Sequence, residues 1–242
     1  MNLVLDIGNS FGKIFLYKGE DLLFTTKVAS ARMAKSLLNL FETYPEIKCS
    51  ILCAVGALEP TIVPFLEEKS LLFVVDHNLK LPFVNRYESP ETLGADRIAV
   101  LAAAAFEYPQ KNCLIIDAGS CVTYDFLSAD GVYRGGAISP GLQMRFTAMH
   151  EHTHKLPLIT AVEDVAEIGT NTEKSLLVGA VNGLVFEIDG WTQSLKAKYE
   201  HLTVILTGGD AQFLSNRLKN TIFAHSNFLA DGLRRLLDYN QV

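Results

Sequence analysis

"DIGNSFGK", residues 6–13, and "DAGSCVTYD", residues 117–125, decide how this chain folds. Each follows a short apolar run, "LVL" at 3–5 and "CLII" at 113–116. Each is therefore an Asp-x-Gly turn leaving the end of a buried strand. Glycine at that place permits a tight turn and lets the backbone approach a ligand closely. Successive N–H groups in such a turn form a concavity that attracts anions, and Ser10 and Ser120 add hydroxyls. Asp6 and Asp117 repel an anion and suit a cation lying on it instead. Lys13 supplies a point charge for a phosphate. One Asp-x-Gly after a strand is commonly just a turn. Two of them at matching places can grip a polyphosphate with its cations.

Outward from each turn the plan repeats. Apolar runs and turn residues predict strands over 2–8, 12–19 and 21–29, an antiparallel meander with its second turn at Gly19. A helix over 31–44 ends before Pro45. A strand over 49–55, a helix over 60–69 and a strand over 71–76 follow, then a loop with two prolines and a long helix over 95–107. "YPQKN" (108–112) has turn composition, after which the plan restarts. Strands are predicted over 113–119, 121–128 and 132–139, a helix from 141, and a longer helix over 172–198. A strand over 202–209 and helices over 210–218 and 227–240 close the chain. Each half runs strand, Asp-x-Gly turn, strand, turn, strand, helix. The expected fold is α/β with two duplicated lobes, residues 1–110 and 111–242, and a central cleft.

Composition narrows the function. With 242 residues, 49% of them hydrophobic, the chain can bury a large core. A net charge of −6 without a Lys/Arg cluster argues against nucleic acid and anionic membrane as partners. "IAVLAAAAF" (98–106), the longest apolar stretch, is too short to span a bilayer. Asp6 interrupts the first apolar run and no basic segment precedes it, unlike a secretory signal. The expectation is a cytoplasmic protein. Cys49, Cys53, Cys113 and Cys121 form no Cys-x-x-Cys pair. Cys49 and Cys53, four apart on a predicted strand, are too distant to bridge, so free thiols are expected.

A third element, "LTGGDA" (206–211), follows a strand and opens a helix, as an adenosine-side loop would. The two Asp-x-Gly loops and this Gly-Gly loop resemble the actin and sugar-kinase ATPase superfamily, whose lobes are ribonuclease-H-like. Together with "GADR" (94–97), "GGAISPG" (135–141) and "GTNT" (169–172), they resemble type III pantothenate kinase, in that family's order along nearly the whole chain. One departure is visible: Ser120 and Cys121 stand where the family's second loop has Thr and Ala. Serine keeps the hydroxyl.

The resemblance implies ATP-dependent phosphorylation of pantothenate to phosphopantothenate, the first step of coenzyme A biosynthesis. It implies that ATP lies against Asp6, Ile7, Gly8, Asn9, Ser10, Phe11, Gly12, Lys13 and Ser120. Tyr87, Gly94, Ala95, Asp96 and Arg97 would meet the acceptor, with Thr172 donated by the other subunit of a homodimer. Asp117 would hold a monovalent cation, potassium or ammonium, and magnesium would accompany ATP near Asp6.

"GADR" opens the long predicted helix, so Asp96 falls in its first turn, where a carboxylate is favoured. That suits a general base; the plainer role is to help cap the helix. Arg97 could pair with the acceptor's carboxylate or be a solvated helix residue. Tyr87 could equally be packing, and Thr170 or Thr172 a helix cap. "HEHTH" (150–154) matches the zinc-protease pattern His-Glu-x-x-His, but a third ligand is lacking and "KLP" ends the helix at once. No Gly-x4-Gly-Lys-Ser/Thr and no Gly-x-Gly-x-x-Gly occurs. The rivals are another small-molecule kinase or phosphatase of the superfamily, and a nucleotide-binding regulator. The presence of Asp96 counts against the second.

Overall fold

Strand β1 (Asn2–Ile7) is the central strand of a five-stranded sheet. It pairs antiparallel with β2 (Phe11–Lys18), which pairs antiparallel with β3 (Asp21–Ala29). On its other side it pairs parallel with β4 (Cys49–Ala54), which pairs parallel with β5 (Leu71–Val74). The computed structural model describes residues 1–8, 11–219 and 223–241. The expected meander is present.

Side chains alternate across a strand, and here the alternation sorts core from chemistry. Leu3, Leu5 and Ile7 join Ile14 and Leu16 in one buried cluster. Helices α1 (Met33–Thr43) and α2 (Ile62–Lys69) cover that face with Met33, Leu37, Leu40, Phe41, Ile62 and Leu66. Asp6, one residue out of step, points to the opposite face. There lie α3 (Ala95–Glu107), against β4, and a C-terminal helix, Phe228–Asn240, against β1 and β4. The alanines of α3 are buried almost all round, as befits a helix apolar on every side. Gly232 sets the distance between these two helices: a Cβ there would lie 2.2 Å from the Ala99 carbonyl oxygen.

The same plan recurs. Strand β7 (Cys113–Ala118) pairs antiparallel with β8 (Cys121–Leu127), beside which runs β9 (Val132–Pro140). On its other side β7 pairs parallel with β10 (Thr203–Thr207), and β10 with the two-residue β11 (Phe223–Ala224). Leu114, Ile116 and Ala118 face a buried cluster under α4 (Leu142–Glu151), α5 (Thr172–Leu177) and α6 (Gly183–Lys196). Asp117, again one residue out of step, faces the other way. A short α7 (Ala211–Ser215) follows β10, and Phe228–Asn240 is α8.

By contact the chain divides into Met1–Pro109 with Gly131–Tyr133 and Asn227–Val242, and Gln110–Asp130 with Arg134–Ser226. The units are thus not two consecutive halves. The C-terminal helix joins the first because its apolar face finds α3 and β1 there. The first residues of β9 join it as well, since β6 (Val84–Asn85), inside the expected loop, pairs with Val132 and Tyr133.

The helix expected over 172–198 is three pieces. Between α5 and α6 the segment Val178–Asn182 widens to a π-helical turn, with Gly179 inside it and Gly183 just after it, the residues that resist such widening least. All four cysteines are free thiols. Burial pushes the Cys113 thiol up to about 12, so it is no nucleophile.

Candidate active site

In the first unit the site is built at the end of β1. The Gly8 N–H donates to the Phe11 carbonyl at 3.0 Å, closing the turn, while Val55 N–H anchors the Ile7 carbonyl at 3.0 Å. Asn9 and Ser10 lie outside the described residues. Ile7 itself is buried in the α1 core, so only its backbone faces the loop. Phe11 is half exposed, with the Lys27 ammonium 4.4 Å above its ring.

Asp6 stands in register between Cys53 of β4 and Lys13 of β2. Burial raises its carboxyl above the usual range; the Lys13 charge pulls back, and the Asp96 charge pushes it up further. That last effect requires Asp96, 90 residues away in sequence (96 − 6), to be near Asp6 in space. The helix on the Asp6 face carries this residue in its first turn.

Gly94 is the residue that caps α3, and a Cβ there would lie 2.5 Å from Asp96 Oδ1. Glycine therefore leaves the space that the Asp96 carboxylate occupies. Asp96 Oδ1 accepts the Arg97 N–H at 2.8 Å, so the carboxylate does help order the first turn. Ala95 is buried beside it. Arg97 is only 5% exposed and is not a solvated helix residue. Its Nη2 donates to the Tyr133 hydroxyl at 2.8 Å, and its guanidinium carbon lies 5.5 Å from the Tyr87 ring centroid. Tyr87 stacks on Tyr133, centroids 5.9 Å apart. Sequence reading passed over Tyr133. Its only signal was an inward place on a strand beside the conspicuous "GGAISPG".

In the second unit Asp117 stands between Thr207 of β10 and Thr123 of β8. Here the turn is closed by glycines. Gly119 N–H donates to the Cys121 carbonyl at 2.9 Å, and Gly141 N–H to the Ser120 carbonyl at 3.1 Å. A Cβ on Gly141 would lie 2.2 Å from the Gly119 oxygen. Gly208, at φ +98°, approaches from β10; a Cβ on it would lie 2.4 Å from the Ala118 oxygen and 2.5 Å from Asp117 Oδ1. Asp210 N–H donates to the Ala118 carbonyl at 3.0 Å, and burial raises the Asp210 carboxyl. "DAGSC", "SPG" and "TGGD" therefore meet at one point. Thr207 donates to the His225 carbonyl, whereas the buried Thr123 hydroxyl has no hydrogen-bond partner among the described residues.

Thr172 is exposed in the first turn of α5, and Asn171, not a threonine, caps it by accepting the Lys174 N–H at 2.9 Å. Asparagine satisfies the same orphan donor that threonine would. In "HEHTH", α4 ends at Glu151, so His150 and His154 share no helix face; His150 instead donates to the Leu156 carbonyl at 2.7 Å. Among the described residues no group of three His, Cys, Asp or Glu side chains could hold a metal.

Two α/β units on one repeated plan, each with an Asp-x-Gly turn on its central strand, define an actin-like ATPase fold of the sugar-kinase type. Solved structures share it. A Campylobacter jejuni protein provisionally named a Baf family transcriptional activator superposes with TM-score 0.63 at 21% identity, over 99% of this chain and 98% of that one. A Sinorhizobium meliloti protein provisionally named a 2-dehydro-3-deoxygalactonokinase gives 0.61 at 14% identity, over 100% and 96%. Within this class the sequence is specific. The model of the type III pantothenate kinase family matches residues 2–194. A type III pantothenate kinase of Christiangramia forsetii is 46% identical over 100% of this chain and 99% of its own length. That of Flavobacterium psychrophilum is 42% identical over the full length of both. The chain belongs to the type III pantothenate kinase family.

Proposed function

We propose that the protein transfers the γ-phosphoryl group of ATP to the primary hydroxyl of pantothenate. One observation carries the assignment of roles: Asp96 lies close enough to Asp6 for its charge to raise the Asp6 carboxyl. A base at the acceptor and a carboxylate at the phosphate loop thereby share one face of the first unit. In the transfer the acceptor oxygen forms a bond to the γ-phosphorus and the bond to the bridging oxygen breaks. ADP leaves, and Asp96 takes the hydroxyl proton. Such reactions depend mostly on positioning and charge neutralisation. Lys13 in the first unit is assigned to the phosphates, and so is the Ser120 hydroxyl in the second. Tyr87 and Arg97 orient the acceptor.

Magnesium bound with ATP would neutralise phosphate charge, and Asp6 fits that use. Its carboxylate is destabilised by burial, and a cation relieves that cost. At Asp117 the unpartnered, buried Thr123 hydroxyl on the neighbouring strand supplies a second hard oxygen, the donor type a potassium or ammonium ion takes. A homodimer belongs to the same reading. Ile138, Ile168 and Phe186 of the second unit are more than 60% exposed, an apolar cost that a partner surface would remove. Thr172 of that partner would then reach the acceptor. Among the described residues no helix is long and apolar enough to cross a membrane, which accords with a cytoplasmic place.

The test is mass detection of phosphopantothenate from protein, ATP, magnesium and pantothenate in potassium, ammonium and sodium buffers. Product is expected in the first two, and Asp96→Asn should lower kcat by about a thousandfold with folding intact. Folded protein that binds ATP yet yields no product in any buffer would overturn the assignment.

A further inference from the structure

We propose that Tyr133 is a positioning residue of the acceptor site, fixing Arg97 by its hydroxyl and Tyr87 by its ring. This rests on the reading that Tyr87 and Arg97 meet the acceptor. Three separately encoded pieces converge on this one side chain, which is wholly buried. From the first turn of α3, Arg97 donates to its hydroxyl. From the loop after β6, Tyr87 stacks on its ring at an interplanar angle of 23°. From before β6, Phe83 packs edge-on, centroids 6.4 Å apart. The backbone repeats the attachment. Asn85 pairs with Tyr133 in the sheet, Arg86 N–H donates to the Tyr133 carbonyl at 3.2 Å, and Tyr87 N–H to Asn85 Oδ1 at 2.9 Å.

A guanidinium is a rigid fork of donors. Fixing one of its nitrogens on a hydroxyl limits its rotation and so directs the remaining donors. A buried donor left without its acceptor is costly. The guanidinium would therefore turn to seek another acceptor once the Tyr133 oxygen is removed. The ring acts separately from the hydroxyl. With Phe83 behind it, Tyr133 is the wall on which Tyr87 rests. Acceptor affinity, not ATP binding or proton transfer, should depend on both.

The variants are Tyr133→Phe, which removes only the hydroxyl, and Tyr133→Leu, which removes the ring too. KM for pantothenate, KM for ATP, kcat and Tm are measured for each, beside Arg97→Lys. Tyr133→Phe is expected to raise KM for pantothenate roughly tenfold, leaving kcat and KM for ATP within about twofold. Tyr133→Leu should raise it further, phenylalanine thus rescuing the ring's share. The penalty in Tyr133→Phe should vanish for panthenol, the analogue with an alcohol in place of the carboxylate. An unchanged KM for pantothenate in folded Tyr133→Phe, with Arg97→Lys impaired, would overturn this inference alone. Parallel loss of every parameter with Tm would reduce Tyr133 to a core residue and overturn it likewise. No pantothenate turnover by the wild type would overturn the function and this inference together.

Discussion

The two Asp-x-Gly turns sit on identical frames and are finished differently. In both, the aspartate lies on a central strand with an antiparallel neighbour on one side and a parallel one on the other. Across the first sheet the row reads Cys53–Asp6–Lys13; across the second, Thr207–Asp117–Thr123. The first turn is also one residue longer: Ile7 pairs with Gly12, five positions on, whereas Ala118 pairs with Val122, four positions on. The first is set among charges, with Lys13 and Asp96 both acting on Asp6. The second is roofed by backbone, Gly141 and Gly208 closing to distances that no side chain tolerates. The frame is shared and the residues beside each aspartate differ. On the proposed reading the charged turn serves the transfer and the crowded one holds its ligand.

Substituting the aspartates should separate those labours most sharply. Asp6→Asn is expected to lower kcat at least about a hundredfold, since it removes charge at the transferring phosphoryl group. It should also raise Tm at neutral pH. The folded-state pKa of Asp6 lies above its unfolded value, so its ionisation disfavours the fold: its contribution is full below the unfolded pKa and lost as pH rises through the folded one. The Tm advantage of the variant should therefore shrink on acidification. A variant that loses activity and stability together at pH 7 would contradict this account of Asp6. Asp117→Asn should chiefly blunt the response to potassium.

Added methyl groups test the crowding. Gly141→Ala should cost about 2 kcal/mol of stability and weaken ATP binding, because the clash is with the Gly119 and Ser120 carbonyls, which cannot step aside. Gly12→Ala should be mild. The obstruction there is Met33 Cε at 2.2 Å, the far end of a flexible side chain that can swing away. Thermal unfolding and ATP titration of both variants decide the matter. Equal losses would mean that the two turns are equally crowded.

Local pattern made much of this visible beforehand. Apolar runs ending in Asp-x-Gly turns located β1 and β7. The alanine-rich run placed α3 at Ala95–Glu107, the bounds observed. What escaped was long-range. Nothing in "FLADGLRRLLDYN" says that it packs on α3; that depends on Gly232 meeting Ala99, 133 residues away (232 − 99). Strand β6 has two residues, too few for any periodicity. Tyr133 matters through Tyr87 and Arg97, 46 and 36 residues off (133 − 87 and 133 − 97). The exchange of Asn171 for a threonine cap was a choice between neighbours of nearly equal propensity.

The smallest expected effect concerns how the second turn is kept closed from outside. Gly141 can lie on Ser120 only if "SPG" is held, and a polar cluster of Arg145 on α4, Glu187 on α6 and Tyr124 on β8 holds it. Arg145 Nε donates to the Pro140 carbonyl at 3.0 Å, and Arg145 Nη2 to Ser139 Oγ at 3.1 Å and Glu187 at 2.5 Å. Tyr124, stacked on Trp191, donates to the other Glu187 oxygen at 2.8 Å. Burial works against the Glu187 charge, yet hydrogen bonds from Arg145, Tyr124 and Ser139 outweigh it and leave the carboxyl below its usual range. A lowered folded-state pKa contributes stability that is present above the unfolded value and lost as pH falls through the folded one. Glu187→Gln should therefore cost about 1 kcal/mol at neutral pH, a difference that closes as the solution is acidified through the glutamate range. If the cluster braces the turn, KM for ATP should rise by about twofold in step with that loss, while KM for pantothenate, set in the first unit, stays put. A variant whose pantothenate KM moves instead would place the brace on the wrong turn.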